Sequence, residues 1–510
     1  MIKVLVMLLC FVFFFTGCSG QNKDNLAINH TTAFEVTDQI PDSTAGEKED
    51  IPKKYGDLHY EEITIAMPGY SNVPRMQGVV EKLNELTLEN INTTINVMFI
   101  QDVMAMPTRI PALLNSGNCD VVYSDNFNLF NNNFYQYTMP YLATQGLIME
   151  VSDLMKKYAP SLYKAYNDEY IYRHLMYVNE GIYGLSFKEP SISMPIVMVR
   201  KNLVPNDYKI ETMDDVYYLS DEIDAKGYKF ATNLLARRSL FRIFTNINDC
   251  YLLPDMHVFG GYIHDFVNDK IVRFEDTEIL NDMMAYYENW DKHGILDKRI
   301  DFEQNDRVGI ALFDSVLKVP NTKDYQFFPL HTDKRFQIDY KNAVSMVVSA
   351  NAKNPERALI LFDYLFSDKK AYDLACFGVE DVDYSVQDGT YKGGTRMFFM
   401  FNYMYEPPAW PDITEFRRIL DSCIQCAFMS PYDELIYKDF DLLSAYSEKL
   451  GQIKDEFQIT QRNDAFRNYD RTSSVEPKEE TNAFYQMLSI LHDTDDYSQQ
   501  IFEMLQEFVE

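Results

Sequence analysis

Tryptophan is nearly absent from this chain: there are 2 in 510 residues, against 36 tyrosines and 35 phenylalanines. With aromatic content at 14%, most of these rings must be core, and a minority remain open to stacking on a ligand. Basic charge is also short. Lysine and arginine total 47 against 77 acidic residues, a net charge of -30, and a field of that sign repels phosphate backbones and anionic lipid. Nucleic acid is thereby excluded as a partner, and since no run of like charge stands out, the surface reads as evenly solvated acid. Cysteine is sparse. Past the first twenty residues only Cys119, Cys250, Cys376, Cys423 and Cys426 remain, an odd set without the spacing of a disulfide framework, so they read as buried thiols. Cys423 and Cys426 form a C-x-x-C in ILDSCIQCAFM, but no second ligand pair follows and the setting is an apolar helix, which favours structural thiols over zinc or redox work. The uncharged run from Val4 to Thr16 falls short of the roughly 20 apolar residues that a bilayer-spanning helix needs. Catalytic signatures are missing too: there is no G-x-S-x-G elbow, H-E-x-x-H, P-loop or complete EF-hand loop. Paired carboxylates of glycosidase type carry no specificity when 77 acidic residues guarantee pairs by chance.

What is present begins at the N-terminus. Lys3, the apolar run and the ending FFFTGCSG follow the pattern of a secretory signal peptide. Phe15, Thr16, Gly17 and Cys18 resemble the lipobox of bacterial lipoproteins, departing from it at Phe15, where Leu or another aliphatic is usual. The resemblance implies that residues 1–17 are removed and that Cys18 is acylated, holding a soluble body at the membrane. Plain secretion with an unmodified Cys18 is the alternative. Residues 18–57 are polar and aperiodic, a flexible stalk. About 450 residues remain, which at about 150 per domain gives two or three domains.

From Glu61 the pattern changes. EEITIAMPGY predicts a strand stopped by Pro68-Gly69, and Val79, Val80, Leu83 and Leu86 recur at helical spacing after it. TTINVMFI is a second strand, ALLNSG lies in a Pro-interrupted helical stretch, and CDVVYS is a third strand. This βαβαβ order predicts parallel pairing with right-handed crossovers, and a ligand site beyond the carboxyl ends of the strands. Further on, VSDLMKKYAPSLYKAY has helical spacing with Ser152 as its N-cap, and GIYGLSF and SMPIVMVRKNLV are strands. A helical segment surrounds MDDVYYLSDEIDAKG, NAVSMVVSANAKNPERALILFDYLFSD passes from strand to helix with Pro355 at the first helical position, and the C-terminal third is mostly helical.

The lipobox, the strand ending in MPGY, NSGNCDVVYSDNF, EGIYGLSF followed by MVRKNLV, and SANAKNPERALILFDYL together resemble extracellular solute-binding proteins of ABC importers. The nearest likeness is to the family 1-like, large Gram-positive lipoproteins linked to oligosaccharide uptake, including a tail from FFMFNYMYEPPAW onward. Pro107 and Pro111 depart from the uninterrupted helix usual before the SGxxxD turn. The resemblance implies an α/β, two-lobe, periplasmic-binding-protein-like type II fold with a mostly helical C-terminal region. Lobe one would hold residues 58–190 and 328–397, and lobe two residues 191–327 and 398–510, with crossings near Glu189, Phe328 and Phe398. It also implies a monomeric receptor that uses no cofactor or metal, closes on a carbohydrate and hands it to permease subunits of an ABC transporter. A surface-anchored carbohydrate-active enzyme and a peptide receptor on the same fold are the alternatives.

A sugar presents hydroxyls, which need charged or amide partners, and apolar faces, which stack on rings. Asp125 with Phe127, after the third strand, suits both needs, the other reading being an Asx-turn aspartate beside a core ring. Phe187 and Glu189 flank the first crossing, where Phe187 could equally pack a hinge. Asp314 in GIALFDSVL, Tyr405 and Trp410 in the Pro-rich loop YEPPAWPD, and Tyr70 after the first strand complete the candidates, with Trp410 either stacking on ligand or capping the surface between lobes. Trp290 sits at helical spacing in MMAYYENWDKHG and reads as core.

Overall fold

The computed structural model describes most of residues 58–400 and isolated positions from 402 to 503. Residues 1–57, 70–72, 126–134, 169–175, 188–191, 233–242, 253–261, 297–306, 314–323 and 339–343 lie outside the described residues, among shorter stretches. The expected signal segment, stalk and Cys18, and the pair Cys423 and Cys426, fall outside them.

The first sheet starts as the periodicity predicts. Strand β1 (Glu61–Pro68), helix α1 (Val73–Ile91), β2 (Thr93–Ile100), α2 (Met106–Ser116) and β3 (Val121–Asp125) follow in order. β1 pairs in parallel with β2 from Glu61 opposite Thr93 to Pro68 opposite Ile100, and with β3 through Ile65 opposite Val121. Ile63, Ile65, Ala66 and Met67 of β1 are buried, and α1 lays Val79, Val80 and Leu83 into the same core. The prolines do not prevent α2. Pro107 lies in its first turn, where its missing N–H would have had no intrahelical partner, so only Pro111 costs a helical bond. Gly117, at φ 63°, ends the helix in a left-handed conformation that suits glycine.

Helices α3 (Ser152–Tyr158) and α4 (Pro160–Asp168) and strand β4 (Gly184–Phe187) complete the first pass. The capping expectation for Ser152 is corrected. Val151 is the N-cap and Ser152 the first helical residue, its hydroxyl accepting the Ile182 N–H at 2.9 Å instead. Tertiary competition for the hydroxyl outweighs the local cap.

The second sheet is built from β5 (Ile196–Arg200), β6 (Lys229–Thr232), β7 (Gly294–Leu296), β8 (Val308–Phe313) and β9 (Tyr325–Pro329), in the order β7-β6-β8-β5-β9. β7 and β8 run parallel to β6, whereas β5 is antiparallel to both β8 and β9. Its helices are α5 (Met213–Ala225), opened by a Thr212/Asp215 capping box, and α6 (Glu278–His293). β5 is apolar without alternation because both of its faces are buried: Val197 and Val199 join the core under α5, and Met198 packs with Val308, Ala311 and Tyr325 on the other side. Trp290 lies on α6 as predicted, with its side chain outside the described residues.

The chain then returns. β10 (Val344–Val348) enters the first sheet antiparallel to β3 and β4, giving the order β2-β1-β3-β10-β4. Helices α7 (Pro355–Ser367) and α8 (Lys369–Cys376) and the hairpin β11 (Tyr384–Gln387) with β12 (Thr390–Gly393) follow. Two boundaries move. Phe328 and Pro329 still belong to the second sheet, so the second crossing begins after Pro329. Phe398 and Met400 are buried in the first core, together with Ile419 and Ala427, so the described start of the 398–510 segment packs with lobe one and not lobe two. Between the sheets, Ile192 bridges Ile338, and Phe336–Gln337 pairs with Ala427–Phe428, which sets three chain segments side by side. Cys119, Cys250 and Cys376 are free and buried, in line with the thiol reading.

Candidate ligand site at the carboxyl edge of the first sheet

Parallel pairing brings the carboxyl ends of β1, β2 and β3 to one edge of the first sheet. There β1 ends on Pro68-Gly69, and the Gly69 N–H donates to the Ile100 carbonyl at 2.9 Å. A Cβ on Gly69 would lie 2.9 Å from Phe99 Cβ and 3.0 Å from Val73 Cγ2, so only glycine lets the chain pass this close to the end of β2. Beyond β2, Gln101, Asp102 and Met104 are exposed, and Asp102 Oδ1 accepts the Met104 N–H at 3.0 Å, an Asx turn that holds this rim.

Asp125 ends β3 at this edge and is half-buried. It pairs with Val344, the first residue of β10, and the next residue, Ser345, pairs with Phe187, the last of β4. The strand edge that carries Asp125 is therefore also where the chain leaves for the second sheet and where it comes back. Sequence reasoning named Asp125 and Phe187 separately; both end strands at this edge, but β10 lies between them and Phe187 shares its row with Ser345 and Ser124, not with Asp125.

Two residues at this edge escaped the sequence reading. The Tyr123 hydroxyl donates to Asp125 Oδ2 at 3.0 Å. Strand alternation puts residues i and i+2 on one face, and that parity was available in VVYSD. Phe399 lies with its ring centroid 5.0 Å from that of Tyr123, a contact between distant segments that no local pattern signals. Of the remaining sequence candidates Tyr405 has its side chain described. It is half-buried on the first lobe, its phenol donating to the Ser367 carbonyl at 2.7 Å at the end of α7 and its ring 5.5 Å from Tyr372. Burial, and then the Asp368 charge, raise its hydroxyl above the ordinary tyrosine value. Tyr70, Phe127, Glu189, Asp314 and Trp410 lie outside the described residues, and of Phe187 only the backbone position is described.

Among the described residues no three His, Cys, Asp or Glu side chains are grouped so as to hold a metal ion, and no helix is long and apolar enough to cross a membrane. The edge offers a carboxylate acceptor and backbone ends.

No protein-family model and no curated protein matches the chain. Solved structures do. The N-glycan transport solute binding protein of Streptococcus pneumoniae aligns over 88% of this chain and 98% of its own, at 16% identity and a TM-score of 0.54. An extracellular solute-binding protein family 1 from Alicyclobacillus acidocaldarius aligns over 88% of this chain and 100% of its own, at 11% identity and a TM-score of 0.47. With two mixed sheets, paired crossing segments and the first of these alignments covering 88% of it, the chain has a two-lobe α/β fold like that of the N-glycan transport solute binding protein.

Proposed function

We propose that this protein is a membrane-tethered extracellular receptor that captures a carbohydrate, by preference an oligosaccharide, between two lobes and delivers it to the permease of an ABC transporter. The observation that carries the reading is the position of Asp125: a half-buried carboxylate at the carboxyl edge of the first sheet, paired with Val344 where the chain returns from the second sheet. A group placed there is near a solute held by the first lobe and near the segments that must bend when the second lobe approaches. Binding then works by population shift: contacts complete only in the closed form stabilise that form by the solute's differential affinity. Tyr70, Phe127, Phe187, Glu189, Asp314 and Trp410 are proposed to share the contacts as stacking rings and hydrogen-bonding acids. Tyr405 is retained only as a support for that surface, since its phenol is bonded to Ser367. The FFFTGCSG ending supports acylation at Cys18 as the tether, which would keep a capture protein near its importer.

The test is thermal unfolding of the ectodomain with a panel that includes Man5GlcNAc and kestose, the sugars named for two structural neighbours. One class of oligosaccharide should raise the melting temperature and be recovered intact. New reducing ends would establish the enzyme reading instead, and stabilisation by peptides alone would establish the peptide reading.

A further inference from the structure

Resting on the reading of Asp125 as a ligand contact, we propose that Tyr123 is the positioning residue of the site and that Phe399, from the chain segment after β12, holds Tyr123 in place. Tyr123 is 3% exposed, so its hydroxyl is out of reach of a ligand while its partner Asp125 is half open. The hydroxyl donates to Oδ2, which selects the ionised carboxylate and fixes its rotamer. A carboxylate has about four lone-pair sites, so accepting this proton leaves capacity for sugar hydroxyls. An acceptor already held in its bound orientation loses less freedom when the ligand arrives.

The Tyr123 ring in turn neighbours the rings of Tyr137, with centroids 6.4 Å apart, and Phe399, at 5.0 Å. Phe399 has φ 50°, a left-handed conformation that a bulky residue adopts only when its surroundings impose it. The imposing contacts are on both sides of it. The Phe398 carbonyl accepts the Ser186 hydroxyl at 2.8 Å, the Met397 N–H donates to Ala375, and the Cys376 thiol approaches the Met400 carbonyl at 3.4 Å. Two anchored neighbours thus turn the ring of Phe399 onto Tyr123, and strain of this kind concentrates where a side chain must be aimed.

Tyr123→Phe tests the contact, since it keeps the ring and removes only the hydroxyl. Three results are expected. The unfolding midpoint stays close to that of the parent. The Asp125 carboxyl, followed by NMR in protein labelled at aspartate carboxyl carbons and identified with Asp125→Asn, titrates at higher pH, because a donor to the charged form has been removed. The dissociation constant for Man5GlcNAc, or for whichever panel sugar stabilises the parent, rises about fivefold, the scale of one net hydrogen bond. In an Asp125→Ala background, which leaves no acceptor for the hydroxyl, the same change adds nothing further. Phe399→Ala should shift the titration in the same direction. An Asp125 titration unmoved by Tyr123→Phe overturns the positioning role whatever the ligand is. Unaltered sugar binding by Asp125→Asn instead overturns the site reading on which it rests. If no panel sugar binds, the carbohydrate reading falls and the titration alone decides the Tyr123 contact.

Discussion

Replacing Asp363 by alanine is expected to destabilise the first lobe by about 3 kcal/mol. Asp363 is fully buried on α7, and its carboxylate accepts the Ser161 N–H at 2.7 Å, the Leu162 N–H at 3.0 Å and the Ser161 hydroxyl at 3.2 Å. Ser161 and Leu162 lie in the first turn of α4, whose N–H groups have no intrahelical partner, so Asp363 caps that helix from another element. Alanine would orphan two backbone donors, and at Leu162, which is buried, water cannot replace the lost acceptor. Each lost bond to a charged acceptor is worth about 1.5 kcal/mol or more, hence the total of about 3 kcal/mol. For a unit of 150 to 250 residues this corresponds to roughly 6 to 12 °C in melting temperature. Asp363→Asn, which keeps one acceptor oxygen, should lose about half as much. Thermal melts of the sugar-free protein by far-UV circular dichroism read the effect. A melting temperature for Asp363→Ala within about 2 °C of the parent would refute the capping argument, because solvent would then be serving those donors.

Other perturbations test other parts. His331 accepts the Met213 N–H on Nε2 at 3.0 Å at the start of α5, and burial holds its pKa below the ordinary histidine value. Asp333, Asp214 and Asp215 pull the value up and Lys334 pushes it down, without reversing the direction. The unfolded chain therefore takes the proton first. The contribution is complete above about pH 6.5 and is lost as pH falls below it, so the urea midpoint of the parent should drop more between pH 7.5 and 5 than that of His331→Asn. Burial, then a neighbouring aspartate, pushes the thiols of Cys119 and Cys250 up to about 12. Peptide mapping after a thiol reagent at pH 8 should find both unmodified in the folded protein and both modified in urea. A Cβ at Gly184 would lie 2.4 Å from Met176 Sδ and 2.6 Å from Ser345 Oγ, so Gly184→Ala should cost about 1 to 3 kcal/mol in urea unfolding, and a neutral result would mean that the Met176 chain simply swings aside.

Much of the architecture could be read from neighbours in sequence. The three-and-four spacing of Val79, Val80 and Leu83 produced α1, and the order of strands and helices from Glu61 to Asp125 produced parallel pairing with a ligand edge at the carboxyl ends. Where the reading failed, a distant group had intervened. Ser152 fits a cap locally, yet its hydroxyl is taken by Ile182. The 398 boundary came from the family resemblance, whereas Phe398 and Met400 pack in the first core.

The chain by itself determined the periodicities, the strand stop at Pro68-Gly69, the acidic surface charge and the alternation that puts Tyr123 and Asp125 on one face, because each depends only on residues a few positions apart. Tertiary structure alone decided that Asp363 caps a helix 202 residues away, that Val344 pairs with Asp125 and Ser345 with Phe187, and that Phe399 reaches Tyr123. Those contacts exist only after both crossings have closed, since burial energy selects among partners that local pattern leaves equivalent.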